Sequence, residues 1–126
     1  MWKDDACLLE MLQAARDTTS FLEGRDEAGF YEDRVLHHAI MMLLVVIGEN
    51  AHKISKDFQD THPEIPWRSM YGIRNVLIHA YGATRLDQVW VAASIGVPAL
   101  IRDLEPLVSP DNGIEPPSHL TPRETP

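Results

Sequence analysis

Apolar positions near the start of the chain fall at Leu8, Leu12, Ala15, Thr19 and Leu22, in alternating steps of four and three that trace one face of a helix. The spacing predicts a helix from about Lys3 to Glu23. Asp4 and Asp5 suit its N-terminal turn, and Gly24 is a natural stop. Arg25 to Gly29 reads as a charged loop. A second, longer helix is expected from about Tyr31 to Phe58. Leu36, Ile40, Leu43, Ile47, Asn50 and Ile54 form its main stripe, and Val35, Ala39, Met42, Val46 and Ala51 widen it. A helix apolar over so much of its circumference is central to a bundle or shared with a partner chain. Gly48 in its middle costs about 1 kcal/mol of helix propensity against Ala, which points to a close helix contact there.

Pro63 and Pro66 end helical continuity, because each lacks a backbone donor and constrains the residue before it. Trp67 opens a third helix with Met70, Ile73, Leu77 and Ala80 on one side, and Gly82 terminates it. A fourth starts near Leu86 or Asp87 and carries Trp90, Ala93, Val97, Leu100 and Leu104, with Pro98 expected to kink or divide it. From Ser109 the stripe is lost, and five of the nine prolines fall between there and Pro126. With no repeat and no strand alternation, the expectation is all-α: a four- to five-helix up-and-down bundle over residues 1–108, followed by a Pro-rich flexible tail over 109–126.

Composition narrows the function classes. A chain of 126 residues supports one core, and the single cysteine, Cys7, rules out an internal disulfide. The longest apolar run, Ala39 to Gly48, is about half of the roughly 20 residues a membrane span needs. No charged leader precedes an apolar segment, so a cytoplasmic location without membrane association is expected. The net charge of −8 argues against a broad nucleic-acid-binding surface. The charge is uneven, however. Between Pro66 and Arg85 stand Arg68, Arg74, Arg85 and His79, with no acidic residue at all. An acidic chain with one basic window suits a local anion site.

Within that window, Arg74 to Tyr81 brings three kinds of chemistry together. Arginine offers a fixed fork of donors for a phosphate. Histidine moves protons near neutral pH. Tyrosine adds a hydroxyl, which is also a site for covalent modification. Such residues in one helix are common enough alone; their setting is what singles them out. Gly48-Glu49-Asn50, then Ile65-Pro66-Trp67, then Gly72-Ile73-Arg74-Asn75 leading to His79 and Tyr81, then Val89-Trp90, occur in that fixed order. Over roughly residues 3 to 107 this set resembles the HEPN domain and, within it, the HepT-like toxin family. That family's signature is an arginine, a short gap, a histidine, any residue and a tyrosine; Arg74, His79 and Tyr81 match it.

The resemblance implies a homodimeric, metal-independent endoribonuclease without a cofactor, acting as the toxin of a type VII-like toxin–antitoxin pair. Arg74 and His79 would be its catalytic residues. The implied reaction is attack of the RNA 2′-OH on the adjacent phosphate, with His79 moving a proton and Arg74 stabilising charge. The implied antitoxin is a small nucleotidyltransferase of the MNT type, which adenylylates Tyr81. Asn75 and Arg68 are secondary candidates for substrate contact, and Glu49 for orienting Arg74. At about 100° per residue, Tyr81 lies about 20° from Arg74 and His79 about 140° away. Either the helix unwinds near Ala80–Gly82, or one chain's histidine works with the other chain's arginine.

Two other readings compete. Glu49-x-x-His52 has the spacing of di-iron bundle proteins, but those need two such motifs plus two further glutamates. His37 and His38 are adjacent, so their side chains diverge by about 100° and form no helical chelate. The HEPN fold also serves as a non-catalytic module that binds a nucleotide or a partner protein, and Arg74 and His79 suit that role as well.

Overall fold

The computed structural model describes residues 2–79 and 85–108; the expectations for Tyr81, for unwinding at 80–82 and for the 109–126 tail fall outside them, as does the side chain of His79. Among the described residues the chain is all-α, with helices joined by short turns and no strand. Its elements are α1 (Trp2–Leu22), α2 (Glu27–Tyr31), α3 (Arg34–Lys53), α4 (Lys56–Thr61), α5 (Trp67–His79), α6 (Leu86–Val91), a π-helical turn over Ala92–Gly96, and α7 (Val97–Leu104). Four rods carry the bundle: α1, α3, α5, and α6 with α7. The helix α3 lies between α1 and α5, and α7 returns to α1.

The first rod follows its apolar spacing. Leu8, Met11, Leu12, Ala15 and Leu22 are buried. Thr19, expected on that stripe, is exposed, and Thr18 is buried in its place. The Thr18 hydroxyl donates to the Ala14 carbonyl at 2.9 Å, so burial leaves it satisfied. Gly24 ends the segment with φ of 75°, a left-handed conformation that glycine adopts without steric cost.

The Arg25–Gly29 loop is a correction: Glu27–Tyr31 is a short helix. Asp26 caps it by accepting from the Gly29 amide at 2.8 Å. Its purpose in the fold is Phe30, fully buried with its ring 4.9 Å from that of His37 and 5.5 Å from that of Trp90. Tertiary burial of one aromatic outweighs the loop-like composition around it.

The single helix expected from Tyr31 to Phe58 is a second correction, because the chain breaks it at both ends. It begins at Arg34, where Asp33 caps the Leu36 amide at 3.1 Å. That hydrogen bond, with the Arg25 guanidinium, holds the Asp33 carboxyl below its ordinary value. It ends at Lys53, since Ile54 and Ser55 are extended (ψ of 139° and 151°) and Ser55 caps the separate helix α4 through Phe58 N–H at 3.2 Å. The buried Asp4 carboxylate fixes this corner, accepting from the Ser55 amide at 2.8 Å and from its hydroxyl at 2.7 Å.

By length and composition α3 is apolar enough to cross a membrane, but here it is the central rod. Leu36, Ile40, Leu44, Ile47 and Ala51 are buried against its neighbours. The opposite face leaves Val35 and Met42 at 80% and 62% exposure. His37 is buried and donates from Nε2 to the Phe30 carbonyl at 2.6 Å.

Pro98 divides the last rod as expected, by way of the π turn. The Val97 amide donates to the Ala92 carbonyl, five residues back, and Pro98 then falls in the first turn of α7, where its missing N–H leaves no internal bond unmade. Between α3, α5 and this turn lies an apolar cavity of ≈ 110 Å³ lined by residues such as Leu44, Ile47, Met70, Ile73 and Leu100. It offers no polar group for chemistry.

Candidate functional site

The site is built where α5 crosses α3. Met70 and Leu77 are buried, Ile73 is half-buried, and Trp67 anchors the start of α5 by donating from Nε1 to the His62 carbonyl at 2.9 Å. That anchoring turns Arg74 toward α3. Gly48 lets the two helices meet closely, as its place in an apolar stripe suggested. A methyl group there would stand 2.5 Å from Arg74 Cβ and 2.6 Å from the Met70 carbonyl oxygen. The base of Arg74 therefore passes directly over Gly48, and its guanidinium reaches the next residue along, Glu49.

Arg74 Nε donates to Glu49 Oε2 at 2.7 Å, and the Nη2 group meets the same oxygen. Nη1 donates to Asn75 Oδ1 at 2.8 Å. The arginine side chain is 21% exposed and the glutamate 35%, so the pair is partly sheltered but reachable from solvent. A guanidinium has five N–H donors, and those left over from these contacts have no other partner among the described residues. They can face an oxyanion while Glu49 and Asn75 hold the plane of the group.

One turn away the same helix pair makes a second contact. The rings of His52 and Tyr71 stack at 4.0 Å between centroids and 10° between planes. Tyr71 also carries the Arg74 guanidinium carbon 5.6 Å from its ring centre. The pairs Glu49–Arg74 and His52–Tyr71 step three residues forward on α3 and three back on α5, so the helices run antiparallel at this point. Glu49 and His52 thus serve two different contacts. Among the described residues there is no cluster of metal-ligating side chains.

The structure accordingly brings together three of the residues singled out by sequence, Glu49, Arg74 and Asn75. Arg68 is exposed on the preceding turns of α5, without an ion pair among the described residues. His79 closes α5, and Tyr81 lies outside the described residues. Sequence reasoning missed Tyr71 and the place of His52. The available signal was their spacing: Tyr71 sits three residues before Arg74 and His52 three after Glu49, which is one helical turn in each case.

A helical bundle with one arginine-centred polar seam is the class of protein that emerges. The chain belongs to the HepT-like ribonuclease family, whose model, described as Ribonuclease HepT-like, matches residues 11–107. It is 31% identical over 100 residues to a Methanocaldococcus jannaschii protein named "Putative RNase MJ1380", covering 79% of this chain and 92% of the relative. It is 37% identical over 78 residues to "Probable ribonuclease HepT" of Thermococcus cleftensis, covering 62% of this chain and 71% of that one. No solved structure matches the chain. Membership makes this a HEPN protein of the HepT type and supports ribonuclease activity, with RNA as substrate.

Proposed function

We propose that the protein is the toxin of a two-gene toxin–antitoxin pair, a cytoplasmic, metal-independent endoribonuclease. The observation that carries this reading is the Arg74 guanidinium, held by Glu49 and Asn75 with N–H donors to spare in a window free of acidic residues. In the proposed reaction the RNA 2′-oxygen attacks the adjacent phosphorus and the 5′-oxygen leaves. His79 moves the proton, and Arg74 neutralises charge on the phosphoryl oxygens. The products carry a 2′,3′-cyclic phosphate and a 5′-OH. Arg68 contacts a flanking phosphate, and Glu49 acts as a positioning residue.

The proposed active unit is a homodimer. The helix α5 is regular through His79, so about 140° of register separates residue 79 from residue 74. This supports a cleft in which one chain's Arg74 works with His79 of the partner subunit. The exposed Val35 and Met42 lie on one face of α3 and supply an apolar surface for such pairing. A nucleotidyltransferase antitoxin would silence the enzyme by adenylylating Tyr81, seven residues after Arg74 in the sequence, adding bulk and phosphate charge.

The test is cleavage of single-stranded RNA by the wild-type protein in excess EDTA, beside Arg74→Ala and His79→Ala. The expected result is EDTA-resistant cleavage to 5′-OH ends, reduced at least a hundredfold, as an order of magnitude, in either variant, with circular dichroism and melting little changed. Activity lost in EDTA and restored by one divalent ion would overturn the metal-free mechanism. Binding of RNA or nucleotide without any cleavage would replace the enzyme with a non-catalytic HEPN module.

A further inference from the structure

Arg74 and its partners account for a phosphate contact but for nothing that holds a base. The adjoining turn of the same seam has two aromatic rings already stacked face to face, His52 on Tyr71 at 4.0 Å and 10°. His52 is exposed, and no hydrogen bond or ion pair engages its ring nitrogens among the described residues. Tyr71 is half-buried, with the same lack of a partner for its hydroxyl. A pair that served only to pack α3 on α5 would leave neither ring exposed, as in the contact of the fully buried Phe30 with the half-buried Trp90. Here one ring is sheltered by the helix seam and the other stands outward in solvent.

Tyr71 also meets the Arg74 guanidinium, whose carbon lies 5.6 Å from the ring centre. His52, Tyr71 and Arg74 therefore adjoin along the seam, an exposed aromatic face beside a phosphate-binding group. Arg68 lies three residues before Tyr71 on α5, exposed and without an ion pair among the described residues, where it can neutralise a neighbouring phosphate. Cations that track a backbone beside an aromatic face on which a base stacks are the elements of single-strand nucleic-acid binding.

We propose that His52 and Tyr71 form a stacking platform for a nucleobase of single-stranded RNA, next to the phosphate held by Arg74. The base adds to the outer face of His52, and Tyr71 fixes that ring from behind. The inference rests on the ribonuclease reading and extends it to substrate form. Unpaired RNA supplies a free base face, whereas a base within a duplex is already stacked on both sides. The platform makes no base-edge hydrogen bond and so favours stacking strength, with purines above pyrimidines.

The test is steady-state cleavage of short single-stranded RNAs, and binding of a 2-aminopurine-labelled RNA followed by fluorescence quenching, with the full chain. His52→Ala is expected to raise KM and Kd about tenfold with kcat within about twofold, and to reduce the quenching. Tyr71→Leu, which also removes a contact of the Arg74 guanidinium, should weaken binding and quenching in the same direction. His52→Phe, which keeps a flat ring, should restore KM. Far-UV circular dichroism identifies a variant that fails to fold; His52, being exposed, then carries the test alone. Wild-type cleavage with KM and quenching unchanged in His52→Ala would overturn the platform and leave the ribonuclease intact. A wild-type protein that neither binds nor cleaves RNA would overturn both.

Discussion

Among the described residues two arginine–glutamate pairs tie helices together, and they do different work. Arg16 meets Glu105 at 2.9 Å between α1 and the turn after α7, with both side chains more than half exposed. Arg74 meets Glu49 between α5 and α3 with about a fifth and a third of their side chains exposed. An ion pair in open solvent contributes about 0–1 kcal/mol and orients little, because water competes for both ends. The sheltered pair has its geometry set from below by Gly48, and a second acceptor, Asn75, on the far side of the fork. The difference lies in the floor under the arginine rather than in the ion pair itself. A charge becomes a tool when the backbone around it leaves it one place to go.

The most severe way to break this contrast is Gly48→Ala. The new methyl group meets backbone oxygen and a Cβ, neither of which can swing away, so α3 and α5 must separate. Overpacking of this kind costs about 1–3 kcal/mol, against about 1 kcal/mol gained in helix propensity. Urea melts should show net destabilisation, and RNA cleavage should fall with it. Unchanged stability would mean the seam is looser than described.

Glu49→Gln removes the charge and keeps the shape. Stability in the same melts should change by less than about 1 kcal/mol. Cleavage should drop about tenfold or more, because a freed guanidinium spends less time in the productive orientation. Equal activity in Glu49→Gln would reduce this pair to the status of the other one. The smallest effect is expected at Glu105→Gln: within about 0.5 kcal/mol in stability and no measurable change in cleavage. A large loss there would mean that the end of α7 communicates with the site.

Much of the fold was legible in the periodicity of α1 and α5 and in the prolines that bound the helices. What escaped was decided by contacts distant in sequence. Ile54 continues the apolar stripe of α3, so the pattern reads as one helix, yet Asp4, fifty-one residues before Ser55, holds the corner open. The segment Arg25–Gly29 has the composition of a loop, and only the burial of Phe30 beneath Trp90 makes its second half helical. Thr18 takes the place of Thr19 on the inner face, and its hydroxyl is satisfied there by its own helix. At the site, Arg74, Asn75 and Glu49 were identifiable as residues of interest, and Gly48 as a point of close approach. The stack of His52 on Tyr71 was not, since aromatic rings on two helices look like ordinary surface until the antiparallel register aligns them.

The Asp4–Ser55 clamp has a consequence for the order in which a ribosome delivers the molecule. Once Phe58 has emerged, every partner of that corner is present: α1, α3, the aspartate and the serine it holds. The nascent chain can then close a helical hairpin that already displays Gly48 and Glu49. Arg74 is synthesised afterwards and is laid onto a waiting surface. The reactive group is thus the late arrival, and a chain interrupted before α5 carries the socket without the charge that fills it.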